Sequence, residues 1–579
     1  MGASRTFRVV VAASASGTLV LPTANAQTLL FAERAAPLGV TSTHAPGSPF
    51  GLEFQNAGGA VGDFNNDGHP DLFVLGGALG VDKLFINQGD GTFVNQAAAW
   101  GIAATHAGSG ACVGDYDKDG DLDLFVTSLG VVGNMTGNVN RLYRNNGNGT
   151  FTDVAAAAGV KNSTLPGFPL GDAYSPAFGD YDLDGDLDLF VAGYYGGSRL
   201  FRNNGNGTFT DVTASAIDPA ADISHVRGFS VAFVDINADR YPEILLAADF
   251  YTSRLLLNNA DGTFSDITAA SGCGLDSNGM GAAYADFDHD SRIDWYVTSR
   301  INQGQVVGSG NMLYMNIGSG IFLETSMPAG VNNGQWSWGA DSRDFNHDGH
   351  PDILVTNGWD GEFANDPTHL FLNNDDGTFT DAATACGIVH TIQGRGVATL
   401  DADEDGDMDI VIFNNAAPLT YYENQLAGPD AHWIKLRLDT SRRPELAPNG
   451  FGASVQITAP SGPQTHALIG GSNYLATSEL VIHAGLAADT VVDQIDITWP
   501  DGSMTTLRNV TADATYTITA RGPCIADLDV SGALDFTDVI LFLTGFASGH
   551  PQLDLAPPFG VFDFSDVIVF LTSFGQGCP

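Results

Sequence analysis

The stretch Asp115-Tyr-Asp-Lys-Asp-Gly-Asp-Leu-Asp123, followed at once by Leu124-Phe125-Val126, decides the fold of this chain. It is one of seven nine-residue loops with Asp at places 1 and 5, Asp or Asn at place 3 and Asp or Glu at place 9, and each copy precedes a short apolar run. The copies start 51 to 65 residues apart, at Asp63, Asp115, Asp180, Asp235, Asp286, Asp344 and Asp401. A repeat of this period predicts structural units that stack or are arranged around a centre.

Each acidic loop is followed by a second repeated segment. Residues 141–154 read Arg-Leu-Tyr-Arg-Asn-Asn-Gly-Asn-Gly-Thr-Phe-Thr-Asp-Val, and similar segments occupy 83–93, 199–212, 254–267, 312–322 and 369–381. Asn-Gly and Asp-Gly pairs favour tight hairpins with positive φ, and the flanking β-branched and aromatic residues favour strands. Four short strands in each of seven units predict a mainly β fold with a closed seven-bladed β-propeller over 27–427. An open β-solenoid is the alternative.

The chemistry of the loops points to calcium. Ca²⁺ takes six to eight oxygen ligands, and a tight loop offers them from side chains at places 1, 3, 5 and 9 and from the backbone carbonyl at place 7. Glycine at place 6 permits the sharp bend. Without a cation the clustered carboxylates would repel one another, so metal binding should contribute to folding.

The candidate ligands follow this pattern loop by loop. They are Asp63, Asn65, Asp67, His69 and Asp71; Asp115, Asp117, Asp119, Asp121 and Asp123; Asp180, Asp182, Asp184, Asp186 and Asp188; Asp235, Asn237, Asp239 and Glu243; Asp286, Asp288, Asp290 and Asp294; Asp344, Asn346, Asp348, His350 and Asp352; and Asp401, Asp403, Asp405, Asp407 and Asp409. His69 and His350 are expected to bind through their carbonyls. Because Arg240 and Ser291 replace the bend glycine, the fourth and fifth loops should bind more weakly or keep the hairpin without an ion.

Two further segments follow the repeats. Alternating polar and apolar residues, as in 432–438, predict a small all-β domain over 428–521. The tail, 522–579, contains two similar halves that each predict an acidic loop and a short helix, as in an EF-hand module. Its first loop places Asp527, Asp529, Ser531, Ala533, Asp535 and Asp538 at EF-hand spacing. The second loop has apolar middle places, so calcium is expected only in the first. Cys524 and Cys578 bracket the tail and suggest a disulfide.

Composition restricts the class of partner. The 579 residues carry a formal net charge of −44, which excludes nucleic acid because phosphate binding needs Lys and Arg. Residues 1–26 have the charged start, apolar run and small-residue cleavage site of a signal peptide, and no later apolar run is long enough to span a membrane. The sequence therefore predicts a secreted or cell-surface protein. Cys112, Cys273 and Cys386 are expected to be buried apolar residues.

Three resemblances to known families add to this interpretation. The segments 114–126 and 179–191 resemble FG-GAP/VCBS repeats. Residues 432–518 resemble the ASPIC/UnbV domain, through His432-Trp433, Asn449-Gly-Phe-Gly-Ala453, Gly471-Ser-Asn-Tyr-Leu475, His483-Ala-Gly-Leu486 and Trp499-Pro-Asp-Gly502. Together they resemble the layout of the cartilage acidic protein family, and the tail resembles a dockerin-type module. These resemblances imply secretion, calcium binding, extracellular adhesion or scaffolding and a cohesin-like partner for the tail, whose damaged second loop departs from the dockerin pattern.

Function remains a choice between two hypotheses at this point. The sequence contains no recognisable catalytic motif, so no catalytic residue is assigned. The first hypothesis is a non-enzymatic scaffold that binds extracellular protein or polysaccharide, and the second is a secreted polysaccharide-degrading enzyme with an attachment module. Aromatic residues near predicted loops are candidate contacts, with blade core as the alternative role: Tyr194, Tyr195, Phe250, Tyr251, Trp336, Trp338 and Trp359.

Overall fold

The structure of the chain is a computed structural model. It describes residues 28–47, 55–129, 139–161, 172–301, 308–471, 473–522, 524, 526–529 and 534–577. The predicted signal peptide and the predicted site residues Ser531, Ala533 and Cys578 lie outside the described residues.

The repeat region forms 28 described strands. In chain order they are β1 Phe31–Glu33, β2 Gly59–Gly62, β3 Asp71–Val74, β4 Lys83–Asn87, β5 Phe93–Asn95, β6 Gly108–Gly114, β7 Asp123–Ser128, β8 Arg141–Asn145, β9 Phe151–Asp153, β10 Ala173–Gly179, β11 Asp188–Gly193, β12 Arg199–Asn203, β13 Phe209–Asp211, β14 Arg227–Val234, β15 Glu243–Asp249, β16 Arg254–Asn258, β17 Phe264–Asp266, β18 Ala282–Ala285, β19 Asp294–Val297, β20 Met312–Asn316, β21 Phe322–Glu324, β22 Ser337–Arg343, β23 Asp352–Asn357, β24 His369–Asn373, β25 Phe379–Asp381, β26 Gly394–Leu400, β27 Asp409–Asn414 and β28 Thr420–Asn424. The mainly β prediction is confirmed.

These strands pair into seven four-stranded antiparallel sheets, numbered here in chain order. Sheets 1 to 6 each contain four consecutive strands, β2–β5, β6–β9, β10–β13, β14–β17, β18–β21 and β22–β25. Sheet 7 contains β26, β27 and β28, and the N-terminal strand β1 supplies its fourth strand by pairing with β28. The first strands of sheets 1 to 4 contact one another in order, those of sheets 5 to 7 do the same, and β2 of sheet 1 also contacts β26 of sheet 7.

The middle strands are buried on both faces because each sheet packs against two neighbours. In β7, Leu124 belongs to the apolar cluster shared with sheet 1, whereas Phe125 belongs to the cluster shared with sheet 3. Since alternate residues of a strand point to opposite faces, a run such as Leu-Phe-Val serves both interfaces. Sheets 7 and 1 pack in the same way, through Val411 and Leu72 among others.

Nine strands and six helices complete the described elements. The later strands are β29 His432–Asp439, β30 Ser454–Ala459, β31 Gly462–Ala467, β32 Gly470–Gly471, β33 Ala476–Thr477, β34 Ile482–Ala487, β35 Val491–Thr498, β36 Met504–Thr511 and β37 Ala514–Thr519. The α-helices are α1 Ala155–Ala158, α2 Thr213–Ala216, α3 Thr268–Ser271, α4 Ser326–Ala329, α5 Phe536–Ser548 and α6 Phe564–Gln576. Short 3-10 turns cover Pro219–Ala221, Ile223–His225, Gly361–Phe363, Pro448–Gly450 and Pro551–Leu553.

Seven of the nine strands after β28 form two small sheets around one apolar core. Strands β34, β29 and β37 form the first sheet, and β31, β30, β35 and β36 form the second. Ile434, Val455, Ile495 and Ile518 are among the buried residues between them. In the tail, the ring centroids of Phe542 on α5 and Phe570 on α6 lie 4.1 Å apart, which packs the two helices together.

A segment of the later domain enters the centre of the repeat region. We call 470–479, apart from the undescribed residue 472, the plug. Its β32 pairs with β14 of sheet 4, and its β33 pairs with β2 of sheet 1. Between them, Leu475 accepts backbone hydrogen bonds from Gly59 and Ala111 at 3.2 and 3.3 Å. Further hydrogen bonds join the plug to Ser175, Ala340 and Thr399, so it is bonded to six of the seven sheets.

The plug fits because glycines in the surrounding backbone leave room for it. A Cβ on Gly58 would lie 2.1 Å from the carbonyl oxygen of Leu475, and one on Gly110 would lie 3.1 Å from its Cα. Tyr474 and Leu475 are fully buried and adopt left-handed φ values of 93° and 56°. Strained backbone of this kind persists where surrounding contacts hold it.

Truncating the plug should destabilise the repeat region. We expect Leu475→Ala to cost about 2–5 kcal/mol, because it leaves a cavity among closely packed backbones. In calorimetry with calcium present, the transition of the repeat region should move to lower temperature. Leu79→Ala, at a side chain that is 71% exposed, is the control and should leave the transition in place. An unchanged transition in Leu475→Ala would contradict the role of the plug.

Candidate metal centres

Each acidic loop joins the first strand of a sheet to the second, and all seven share one backbone shape. The residue at place 4 has a left-handed φ of 53° to 61° in every loop, although its identity varies: Asn66, Lys118, Leu183, Ala238, His289, His347 and Glu404. The residue at place 6 also has positive φ, between 69° and 94°. Arg240 and Ser291 adopt this conformation in place of glycine, so the fourth and fifth loops keep the hairpin, at a strain of about 1–2 kcal/mol each.

The carboxylate at place 9 anchors each loop to its own sheet. In loop 2, Asp123 accepts hydrogen bonds from the backbone N–H of Tyr116 at 3.2 Å and of Asn145 at 2.8 Å. Equivalent bonds to the N–H at the end of the third strand occur at Asp71, Asp188, Asp294, Asp352 and Asp409. All seven place-9 carboxylates are buried, so this place is structural whether or not it also binds a metal.

An asparagine at the end of each third strand joins neighbouring sheets, and sequence reasoning missed it. Its side-chain Nδ2 donates to the place-2 carbonyl of the preceding loop at 2.7–3.1 Å. The seven members of this asparagine relay are Asn87, Asn145, Asn203, Asn258, Asn316, Asn373 and Asn424. The bond from Asn87 reaches Ala402 and joins sheet 1 to loop 7. The recurrence of Asn in register, seven times, was the available signal.

Carboxylates meet closely in four of the seven loops. Ligand atoms of one triad lie within 4.8 Å of one another in loops 2, 3, 5 and 7: Asp115, Asp117 and Asp123; Asp180, Asp182 and Asp188; Asp286, Asp288 and Asp294; and Asp401, Asp403 and Asp405. Within the described part of the chain, the buried Oδ1 atoms of Asp117, Asp182 and Asp401 have no hydrogen-bond partner. Buried carboxylate oxygens need a partner, and all-oxygen sets of this kind suit Ca²⁺. These residues therefore fit the ion.

Loops 1, 4 and 6 offer weaker sets, and loop 5 contains a competing ion pair. In loops 1 and 6, the Asn side chain at place 3 donates its amide N–H to the place-5 carboxylate, at 2.8 Å for Asn65 and 3.1 Å for Asn346. In loop 4, Asn237 donates to Glu243 at 3.1 Å. In loop 5, Arg292 forms an ion pair with Asp290. Each of these contacts already supplies a donor to a carboxylate that calcium would otherwise bind.

The side chains at place 7 link neighbouring loops. Asp121 accepts from Asn66 of loop 1 at 2.7 Å, and Asp186 pairs with Lys118 of loop 2 at 2.8 Å. His350 lies 2.7 Å from His289 of loop 5. In each pair, a place-4 side chain of one loop contacts a place-7 side chain of the next. These contacts occupy side chains and not the backbone, so the predicted ligand at place 7 is still the backbone carbonyl. The same prediction applies at His69 and Asp407.

The later β domain covers the acidic loops. Lys435 on β29 lies 2.6 Å from Asp401 and 3.2 Å from Glu404, with its side chain fully buried. A Cβ on Gly406 would lie 1.9 Å from the ring of Trp433, so the indole sits directly on loop 7. On the other side, Lys118 donates to the carbonyl of Pro444 at 2.7 Å. The later β domain therefore contacts these acidic loops from one side, while the place-5 carboxylates Asp67, Asp119, Asp184, Asp239 and Asp405 stay exposed.

In the tail, the structure assembles part of the predicted loop. Asp527, Asp529 and Asp538 bring ligand atoms within 4.8 Å of one another. Asp535 caps α5 by accepting from the N–H of Thr537, and Asp538 completes the capping box. Cys524 is disulfide-bonded, while its predicted partner lies outside the described residues. The other three cysteines are free and buried, as predicted.

Burial raises the pKa values of these carboxylates in the metal-free protein. At place 9, burial raises the pKa of Asp71 to about 8 and that of Asp123 to about 9, and neighbouring carboxylates add to the effect. At place 1, burial raises the pKa of Asp115 to about 6 and that of Asp180 to about 7. A bound cation would reverse this preference.

Comparison with known families finds matches in two parts of the chain. The FG-GAP-like repeat family matches residues 63–126, 130–191, 180–246 and 235–297, and the ASPIC and UnbV family matches 444–523. Mouse cartilage acidic protein 1 is 27% identical over 86% of this chain and 69% of its own length. The Xenopus tropicalis and human proteins are 29% and 30% identical over 44% of this chain, and in each case the match spans 38% of the relative. The chain therefore contains FG-GAP repeats and an ASPIC/UnbV domain and is homologous to cartilage acidic protein 1.

Similarity to solved structures is lower. An Agrocybe aegerita lectin that recognises terminal N-acetylglucosamine aligns with a TM-score of 0.36 at 18% identity, over 56% of this chain and 79% of its own. The Vibrio cholerae biofilm matrix protein Bap1 aligns with a TM-score of 0.27 at 13% identity, over 80% of this chain and 62% of its own. At these scores the alignments support no inference about ligand. Within the described residues, no helix is long and apolar enough to cross a membrane.

Calcium stoichiometry should depend on which loop is altered. We expect about five to eight calcium ions per chain, and Asp182→Ala should remove one, because it deletes a buried, unpartnered carboxylate. Asn237→Ala changes the same place in loop 4 and should leave the count unchanged. Plasma mass spectrometry of the purified variants measures both. Equal losses in the two variants would contradict the ranking of the loops.

The chelated protein should become less stable as pH rises. The raised pKa values mean that the folded state binds more protons than the unfolded state between about pH 4 and pH 9, so the free energy of unfolding falls across that window. With EGTA, the unfolding midpoint should be several degrees higher at about pH 5.5 than at about pH 8. With calcium the order should reverse, because the ligands must be ionised. A midpoint that rises with pH in EGTA would contradict the assignment.

Proposed function

We propose that this protein is a secreted, calcium-stabilised, seven-bladed β-propeller that acts as an extracellular binding scaffold. Homology to cartilage acidic protein 1 and the FG-GAP repeats support a binding role rather than catalysis. The domains proposed are a signal peptide at 1–26, the propeller at 27–427, the ASPIC/UnbV domain at 428–521 and a dockerin-like module at 522–579. Closure of the propeller is supported by the β1–β28 pairing and by the bond from Asn87 to loop 7.

The single observation that carries this proposal is that the carboxylates of the acidic loops are tied into the fold. Their carboxylates are tied to backbone N–H groups, to neighbouring loops and to the later domain through Lys435 and Trp433. A catalytic metal keeps an open position for water or substrate. Here the carboxylates at places 1 and 9 are bonded to backbone N–H groups of their own loop and sheet, as Asp115 and Asp123 are in loop 2, which suits a structural ion. The ions would therefore stabilise structure and leave ligand contact to the opposite face.

The tail is proposed to attach the protein to a cohesin-like partner. Both helices expose apolar residues at the same positions, and each exposed fraction is at least 49%. These residues are Phe536, Ile540 and Leu543 on α5 and Phe564, Ile568 and Leu571 on α6. A helix face with apolar residues at i, i+4 and i+7 is the pattern by which a helix docks into a groove. The duplication gives two equivalent faces.

The scaffold and the alternative, a polysaccharide-degrading enzyme, differ in turnover. The purified calcium-loaded chain should release no reducing ends from neutral or acidic polysaccharides above a heat-denatured control. Calcium removal should lower its unfolding midpoint strongly, since each ion held at about 100-fold excess over Kd contributes about 2.7 kcal/mol. Reducing ends that increase with time and protein concentration would overturn the proposal in favour of the enzyme.

A further inference from the structure

A band of aromatic side chains crosses the face opposite the acidic loops. In an antiparallel sheet, the connection from the second strand to the third lies at the end opposite the connection from the first to the second. The aromatic band lies in or beside these second connections and contains Tyr194, Phe250, Tyr251, Arg300, Trp336 and Trp359. It spans sheets 3 to 6.

Hydrogen bonds and ring contacts make the band continuous. Asp249 accepts from the hydroxyl of Tyr194 at 3.0 Å and from the amide of Asn278 at 2.5 Å. Arg300 then donates its Nε–H to Asn278 at 3.0 Å, and its guanidinium lies 4.9 Å from the ring centroid of Trp336. Planar polar groups therefore alternate with rings along the band.

Two stacked indole rings lie at one end of the band. Trp336 and Trp359 stack with centroids 5.1 Å apart and an angle of 17° between their planes. Both are half-buried, whereas Trp338 beneath them is fully buried in the core. The two roles considered for these residues, blade core and surface contact, therefore belong to different residues. Trp338 is part of the core, whereas Trp336 and Trp359 reach the surface.

At the other end, the backbone is strained in a way that presents two rings to solvent. Phe250 and Tyr251 have φ values of 57° and 59°, and their exposed fractions are 59% and 64%. Consecutive left-handed residues would normally be Gly, Asn or Asp. Two exposed aromatic rings at such a turn cost both conformational strain and solvated apolar area, a combination typical of residues that contact a ligand.

The chemistry of the band selects the class of ligand. A pyranose ring has an apolar C–H face that packs on an aromatic ring and hydroxyls that both donate and accept hydrogen bonds. The band offers the same combination, with donors on Arg300 and Asn278 and an acceptor on Asp249. A polyanion is disfavoured, because the chain carries a net charge of −44.

We propose that the aromatic band binds an uncharged polysaccharide, with sugar rings packed on the exposed rings of Phe250 and Tyr251 and against the edges of Trp336 and Trp359, and with hydroxyls bonded to Arg300 and its neighbours. This inference rests on the proposed scaffold function and names its ligand class. A band that crosses four sheets fits an extended chain of several sugars better than a single sugar.

The test is affinity electrophoresis of the full chain, with calcium, in gels that contain soluble neutral polysaccharides, namely hydroxyethylcellulose, galactomannan, xyloglucan or dextran, or the anionic polymer polygalacturonate. At least one neutral polymer should retard the protein. The variant Phe250→Gly/Tyr251→Gly removes two rings and keeps the left-handed turn, which glycine prefers. It should bind about tenfold more weakly or worse, at about three- to tenfold for each lost ring contact, without a lower unfolding midpoint.

Val94→Ala/Met504→Ala is the matched control, because it removes two apolar side chains that are 44% and 63% exposed on β5 and β36, outside the aromatic band. It should bind as the unaltered chain does. The inference is overturned if no neutral polymer retards the protein, if only polygalacturonate does, or if the band variant and the control behave alike. Loss in the band variant of binding to a peptide polymer such as gelatin, with no polysaccharide bound, would assign the band to a protein partner instead. In all these outcomes, calcium-dependent stability still tests the scaffold proposal separately.

Discussion

One side-chain hydrogen bond, repeated seven times, holds the repeat region together. The relay asparagine uses each of its polar groups: in sheet 2, Asn145 donates its N–H to Asp123, donates Nδ2 to Phe64 of loop 1 and accepts from the turn residue Gly147. Loop, sheet and turn are thereby fixed by one buried residue. Buried amides that are fully bonded specify a single arrangement, and this residue sets each sheet against the one before it.

The acidic loops depend on that arrangement. Because the relay and the place-9 carboxylate fix both ends of a loop, its other carboxylates are forced together at a few ångströms, where ionisation is costly without a cation. The last relay residue illustrates the same constraint. Asn424 has no hairpin after it, since β1 supplies the fourth strand, and its buried Oδ1 has no hydrogen-bond partner among the described residues. The geometry of the relay is kept even where one of its bonds is lost.

The sequence predicted what is local and missed what is distant or varied in residue type. Loop positions, hairpins and the tolerance of Arg240 and Ser291 at the bend followed from spacing and turn chemistry. The left-handed place 4 gave no signal, because residues as different as Leu183 and His347 occupy it. The plug could not be predicted from the sequence either, because it pairs Ala476 with Gly59 from the opposite end of the chain. Glycines in the first strands had no assigned reason until that close approach was seen.

The two faces of the repeat region differ in what covers them. The later β domain contacts the acidic face, and its plug lies in the centre of the repeat region, where Tyr474 donates its hydroxyl to the carbonyl of Gln55. Tyr474 also lies 5.4 Å from the ring of Trp338, beneath the stacked indoles. Contacts therefore run from the acidic loops through the plug to the aromatic band. On the proposals made above, calcium in the acidic loops would influence a ligand on the band only through the sheets and the plug between them, and never by bridging to the ligand itself.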